Sequence, residues 1–168
     1  MKKIIFLFLC GFLLGEDVFL DLNSLMESDV PKYINDKKVY EAKCLKNDAE
    51  SCWHLAFFYN TGKGTEVNYA EATKYYHKAC NLKDGLSCLV LGDQYMLGKG
   101  VESNPQMAVK YAEKSCTLNY SEGCNVVGLE YESGNNVLKN IKKAKEYYKK
   151  ACNLGYSEGC KNYARITN

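Results

Sequence analysis

Residues 80–116 read CNLKDGLSCLVLGDQYMLGKGVESNPQMAVKYAEKSC, and this stretch holds one full period of the chain. It opens on Cys80, repeats a cysteine at Cys88 after seven residues, and reaches the next cysteine of the series, Cys116, 36 residues on. The same C-x7-C pair occurs as Cys44/Cys52, Cys116/Cys124 and Cys152/Cys160. Other positions keep the step: Leu55, Leu91 and Val127; Ala56, Gly92 and Gly128; Tyr59, Tyr95 and Tyr131; Ala72, Ala108 and Ala144; Tyr75, Tyr111 and Tyr147. A period of this length marks stacked helical hairpins, each too small to bury its apolar face alone.

Within one period the pattern reads helix, turn, helix. The first helix is expected at about residues 50–61, where Cys52, Leu55, Ala56 and Tyr59 recur at helical spacing. Gly62 and Gly64, and one step later Gly98 and Gly100, end it; in the third unit Asn136 stands for the second glycine and is expected to take the same left-handed backbone. Asn68, Asn104 and Asn140 stand where the second helix begins and suit an N-cap, and Pro105 follows Asn104 at the first helical position. The expected class is all-α, an α/α solenoid. A half repeat covers 31–43, full repeats cover 44–79, 80–115 and 116–151, and a terminal half repeat covers 152–168, with helices near 31–43 and 157–166 at the two ends.

The cysteine spacing constrains the turns. Eight residues of continuous helix separate two Cα atoms by about 12 Å, whereas a disulfide needs about 4.4–6.8 Å. A bridged C-x7-C pair therefore requires the chain to reverse between its cysteines. Asn47, Asn119 and Gly155 share one slot for that reversal, with Gly85 beside it in the second unit. A pairing inside one hairpin, Cys52 with Cys80, is geometrically thinkable but strands Cys44 and Cys160; the pairs 44–52, 80–88, 116–124 and 152–160 use all eight. So short a loop contributes about 2.5 kcal/mol per bridge in the chain-entropy account, which fits an oxidising compartment.

The N-terminus supports that location. Lys2 and Lys3 precede the apolar run from Ile4 to Leu14, about half the length a membrane span needs, and residues 1–15 read as a secretory signal peptide. Leu9 is large where lipoprotein processing prefers a small residue before the cysteine, so Cys10 is expected to leave with the signal. Residues 16–30 are read as an N-terminal segment and a candidate cap for the first hairpin. Losing Lys2 and Lys3 takes the basic residues from 22 to 20 against 20 acidic ones, and a near-neutral chain lacks the basic excess of a nucleic-acid binder. No cofactor is called for, and a zinc knuckle would need closer cysteines or paired histidines than His54 and His77 supply.

These residues resemble the Sel-one-like repeat (SLR), a relative of the tetratricopeptide (TPR) repeat: the run LGDQYMLGKGV, the KYY or EYY before KAC, and the 36-residue step carry the likeness. With a C-x7-C pair in every unit the chain is similar to the Helicobacter cysteine-rich protein (Hcp) family. The resemblance runs from about Pro31 to the C-terminus. It implies a secreted or periplasmic solenoid with one bridge per repeat and a concave face that binds protein or peptide. It also implies an alternative, a weak β-lactamase or penicillin-binding hydrolase. The residues do not carry that alternative: S-x-x-K is missing, Ser28-Asp29 is followed by Val30, and Thr61-Gly62-Lys63 has the wrong order. The string Gly155-Tyr156-Ser157-Glu158-Gly159 mimics a nucleophile elbow without the preceding strand or a downstream histidine, and the third unit uses the same YSEG in its turn.

The candidate binding residues are the varying stripe of the first helices: Trp53, Phe57 and Asn60; Leu89, Asp93 and Met96; Asn125, Leu129 and Glu132; Lys161 and Arg165. Spacings of three and four put each set on one side of its helix. Aromatic and Met side chains beside Asp, Asn and Arg suit a peptide groove, so the expected ligand is a protein, a peptide or a cell-wall fragment, with a β-lactam under the alternative. Trp53 and Phe57 are equally readable as residues capped by residues 16–40, with the rest of the stripe a solvated face.

Overall fold

The computed structural model describes residues 30–167, which form eight helices and no strand. The signal peptide expected over residues 1–15 and nearly all of the expected cap lie outside the described residues. The helices are α1 (Val30–Leu45), α2 (Ala49–Thr61), α3 (Tyr69–Asn81), α4 (Gly85–Leu97), α5 (Pro105–Thr117), α6 (Ser121–Ser133), α7 (Ile141–Asn153) and α8 (Ser157–Thr167). Three complete hairpins, α2/α3, α4/α5 and α6/α7, stack between a lone second helix, α1, and a lone first helix, α8.

Local chemistry sets each hairpin. The first helices end on Gly62, Gly98 and Gly134, all left-handed. At the second helices, the Asn68, Asn104 and Asn140 side chains accept the backbone N–H of Glu71, Met107 and Lys143 at 3.0 Å, satisfying one orphan donor each. Asn136 departs from expectation. It is not left-handed; its Nδ2 donates instead to the Glu130 carboxylate at 2.9 Å.

The reversal between hairpins uses one slot throughout: Asn47 (φ 66°), Lys83 (φ 72°), Asn119 (φ 63°) and Gly155 (φ 89°). In the second unit the reversal is therefore made by Lys83, where Gly85 was the candidate. Gly85 opens α4, where a Cβ would approach the Tyr120 Cβ to 2.9 Å. The bridges lie across these turns as expected, 44–52, 80–88, 116–124 and 152–160, with Cα separations of 4.7, 4.7, 4.4 and 4.4 Å.

The core follows the period. Leu55, Leu91 and Val127 are fully buried in the same slot of successive first helices, in clusters that include Ala79, Ala72 and Ala112 of the second helices. Each repeat also stacks a tyrosine of its first helix on one of its second: Tyr59 on Tyr75, Tyr95 on Tyr111, and Tyr131 on Tyr147, with centroids 5.7, 5.3 and 5.7 Å apart. Such pairs contribute about 0.5–1.5 kcal/mol each beyond their area, and three of them account for six of the chain's 14 tyrosines.

Candidate functional site

Successive first helices touch, α4 with α6 and α6 with α8, more than successive second helices do. From α4 to α8 the first helices thus hold the inner side of the stack, and the candidate stripe lies on the first helices. The structure divides that stripe into two halves.

The C-terminal half is occupied by the protein itself. Arg165 grips Glu132 with two parallel hydrogen bonds of 2.7 Å, and the Tyr148 hydroxyl donates to the same carboxylate at 2.6 Å. The guanidinium and the phenol hold the Glu132 carboxyl down at about 2. Burial, with the carboxylate beside it, pushes the Tyr148 phenol well above its ordinary value. Asn125 is buried and accepts from the Asn162 amide at 2.9 Å. Lys161 pairs with Glu158 at 3.1 Å within α8, while Leu129 is exposed. Glu132, Arg165 and Asn125 thus tie α8 and α7 to α6.

The N-terminal half makes no such clasp among the described residues. Trp53 stacks on Phe57 with centroids 5.6 Å apart, and the Lys63 ammonium lies 5.4 Å from the Phe57 ring. The Trp53 indole N–H is buried with no hydrogen-bond partner among the described residues. Asn60 is half-buried at the end of α2. One helix along, Leu89, Asp93 and Met96 line a cavity of about 170 Å³ shared with Val109 of α5 and with Val126 and Glu130 of α6. Asp93 is exposed and makes no ion pair among the described residues, and desolvation beside these apolar walls raises its carboxyl above the ordinary value.

Val109, Val126 and Glu130 escaped the sequence reading because they belong to neighbouring helices, not to the stripe of α4. One signal could have found the cavity: beside the tyrosines that keep the step lies a second slot, filled by Tyr40, Tyr76 and Tyr148 but by Ala112 in the second repeat.

The histidines serve packing. His54 stacks on Tyr40 at 4.5 Å. His77 sits between two hydroxyls, Nε2 at 3.2 Å from Tyr95 and Nδ1 at 3.3 Å from Tyr111, and burial together with Lys114 lowers its pKa. Ser51 donates to Asp48, Ser115 to the Gly85 carbonyl and Ser103 to the Met96 carbonyl. Ser157, the serine of the elbow-like string, is exposed at the start of α8. The hydrolase implied by resemblance therefore finds no support in these contacts. Among the described residues no cluster of His, Cys, Asp and Glu could hold a metal, and no helix is long and apolar enough to cross a membrane.

The Sel1 repeat pattern matches the chain three times, at residues 49–84, 85–120 and 121–156. Each match spans one first helix, one second helix and the turn that follows. Among solved structures the chain is similar to Helicobacter pylori cysteine rich protein B, with 32% identity, 79% of this chain and 92% of that one covered, and a TM-score of 0.61. A protective antigen present in uropathogenic Escherichia coli strains, displaying an SLR fold, shares 28% identity over 80% of this chain at a TM-score of 0.73. The chain spans only 29% of that antigen's length. A Sel1 repeat protein from Oxalobacter formigenes shares the fold at 24% identity, with 76% of this chain and 96% of that one covered and a TM-score of 0.71. No curated protein matches.

Proposed function

The chain belongs to the Sel1 repeat family, and on that premise we propose that it is an extracytoplasmic, disulfide-stapled scaffold that binds a protein or peptide on the face of its first helices. Sel1 repeats generally serve as protein-interaction modules, and four bridges across the hairpin turns are a stabilising device suited to an oxidising compartment. The observation that carries the reading is the division of the inner face. Residues at its C-terminal end satisfy one another, whereas Phe57, Asp93 and Met96 vary between repeats and face a surface that no described segment covers. Flat apolar and aromatic anchors beside isolated charges are what peptide grooves supply.

A peptide library selected against the oxidised protein tests this. The expected binders lose about ten-fold or more in affinity with Phe57→Ala or Met96→Ala, a loss typical of interface anchors, and nothing with Lys149→Ala on the opposite side. Binders that ignore both face substitutions would refute the assignment of the face.

A further inference from the structure

The slot at Tyr76, Ala112 and Tyr148 explains why the cavity exists where it does. Tyr76 and Tyr148 are 2% and 0% exposed, so in the first and third repeats a phenol ring fills the space behind the first helix. In the third repeat that ring lies against Gly128: a Cβ there would stand 2.5 Å from Tyr148 Cδ1. The matching glycine of the second repeat, Gly92, faces no ring from this slot. Its nearest neighbours are the Ala108 carbonyl at 3.0 Å, the Ala112 nitrogen and the Tyr111 Cβ. The helices keep their period while the side chain is missing, and the space left opens onto the first-helix face.

That space has a definite chemistry. Its volume of about 170 Å³ compares with the roughly 150 Å³ of an apolar cavity that holds a benzene ring. Leu89, Val109 and Val126 supply apolar walls, and Met96 adds a side chain that adapts to a ring edge. Two carboxylates stand at the same cleft. Asp93 has no cation partner among the described residues, and Glu130 accepts a neutral hydrogen bond from Asn136 at 2.9 Å. The third repeat shows this chain's own version of the arrangement: a ring in the slot, its hydroxyl on a carboxylate, and a guanidinium on the same carboxylate.

We infer that the cleft receives an aromatic side chain of a partner peptide, its ring in the place that Ala112 leaves empty and a neighbouring lysine or arginine on Asp93. The inference rests on the proposed binding face and names what one part of that face recognises. A carboxylate held beside apolar walls attracts a cation more strongly than one in open water, and repels an acidic neighbour to a similar degree.

The test is calorimetric titration of the oxidised protein with three capped peptides: acetyl-Lys-Phe-Lys-amide, acetyl-Lys-Ala-Lys-amide and acetyl-Glu-Phe-Glu-amide. The first is expected to bind about ten-fold tighter than either of the others, since it alone fills the slot and meets the charge. Asp93→Asn should weaken it about five-fold, the size of one partly screened ion pair. Ala112→Tyr should abolish binding in a folded protein, because the adjacent repeats carry tyrosine in that slot. Leu89→Trp, which copies Trp53 of the first repeat, is the second way to close the cleft should Ala112→Tyr not fold. Equal binding of the Phe and Ala peptides, or binding that survives both closing substitutions, overturns the inference. So does a dimer of this chain that Ala112→Tyr dissolves, because the occupant would then be a second copy. If the peptides fail while library-selected binders still depend on Phe57 and Met96, this inference alone falls. If those binders fail too, the binding face itself is wrong.

Discussion

The second and third repeats run through the same turns, caps and bridges, yet one holds a cavity and the other a solid junction. At Tyr148 a buried ring reaches Glu132, and Arg165 closes over the pair from the last helix. At Ala112 the ring is missing, the position of Glu132 is taken by Met96, and the neighbouring first helix presents Val126 and Glu130 to the opening. The contrast teaches that a repeat frame held by turns and disulfides tolerates the loss of a core side chain in one unit. In an ordinary core, neighbouring elements would shift to fill part of such a gap. Here Cys80–Cys88 and Cys116–Cys124 pin the two turns that flank the repeat.

The sharpest way to break the comparison is to open the filled slot. Tyr148→Ala is expected to cost about 3–5 kcal/mol in urea unfolding, as buried aromatic truncations do, and to release Glu132 as well. A cost below about 1 kcal/mol would mean that the third repeat does not depend on the ring. Next in size, replacing Cys116 and Cys124 by serine removes a constraint of about 2.5 kcal/mol and should enlarge or collapse the cleft beside it. Unchanged stability and unchanged peptide binding would show that the bridge does not hold the frame.

Filling the open slot should have a smaller effect. Insertion into a packed core costs about 1–3 kcal/mol, so Ala112→Tyr, entering existing space, is expected to change the unfolding free energy in urea by less than about 1 kcal/mol in either direction. A larger loss would show that the slot is not vacant. A further test concerns the clasp alone. Glu132 titrates near 2 in the folded chain against an ordinary 4.5, so its stabilisation is present above about 4.5 and is lost as the pH falls from there toward 2. Thermal scans across that window should show the loss in the wild type and a flatter profile in Arg165→Ala. Parallel profiles would remove Arg165 from the clasp.

Much of the frame was legible because it rests on local chemistry. The cysteine spacing forces a reversal, asparagine accepts the N–H groups three residues on, and glycine ends the first helices; each is visible in a short window. Lys83 was not legible, because nothing local favours a left-handed lysine. The common register of the four turns imposes it, at a cost of about 1 kcal/mol or more. The Glu132–Arg165 and Asn125–Asn162 contacts join residues 33 and 37 apart, off the 36-residue step, so aligning equivalent positions does not bring them together. They turn half of the candidate stripe into an internal joint. Ala112 could be read off the period, but only the structure shows that its loss leaves a space that nothing else fills.

The most direct test of the central claim, that the missing tyrosine leaves a receptor, is a methyl NMR titration of the oxidised protein with tyramine, which carries a phenol ring and an ammonium group. The account predicts shifts concentrated at the Leu89, Val109, Ala112 and Val126 methyls, with the Leu55 methyls of the first repeat unmoved, and their disappearance in Ala112→Tyr. Shifts spread over the surface, or a cleft whose methyls do not respond while the fold is intact, would contradict it.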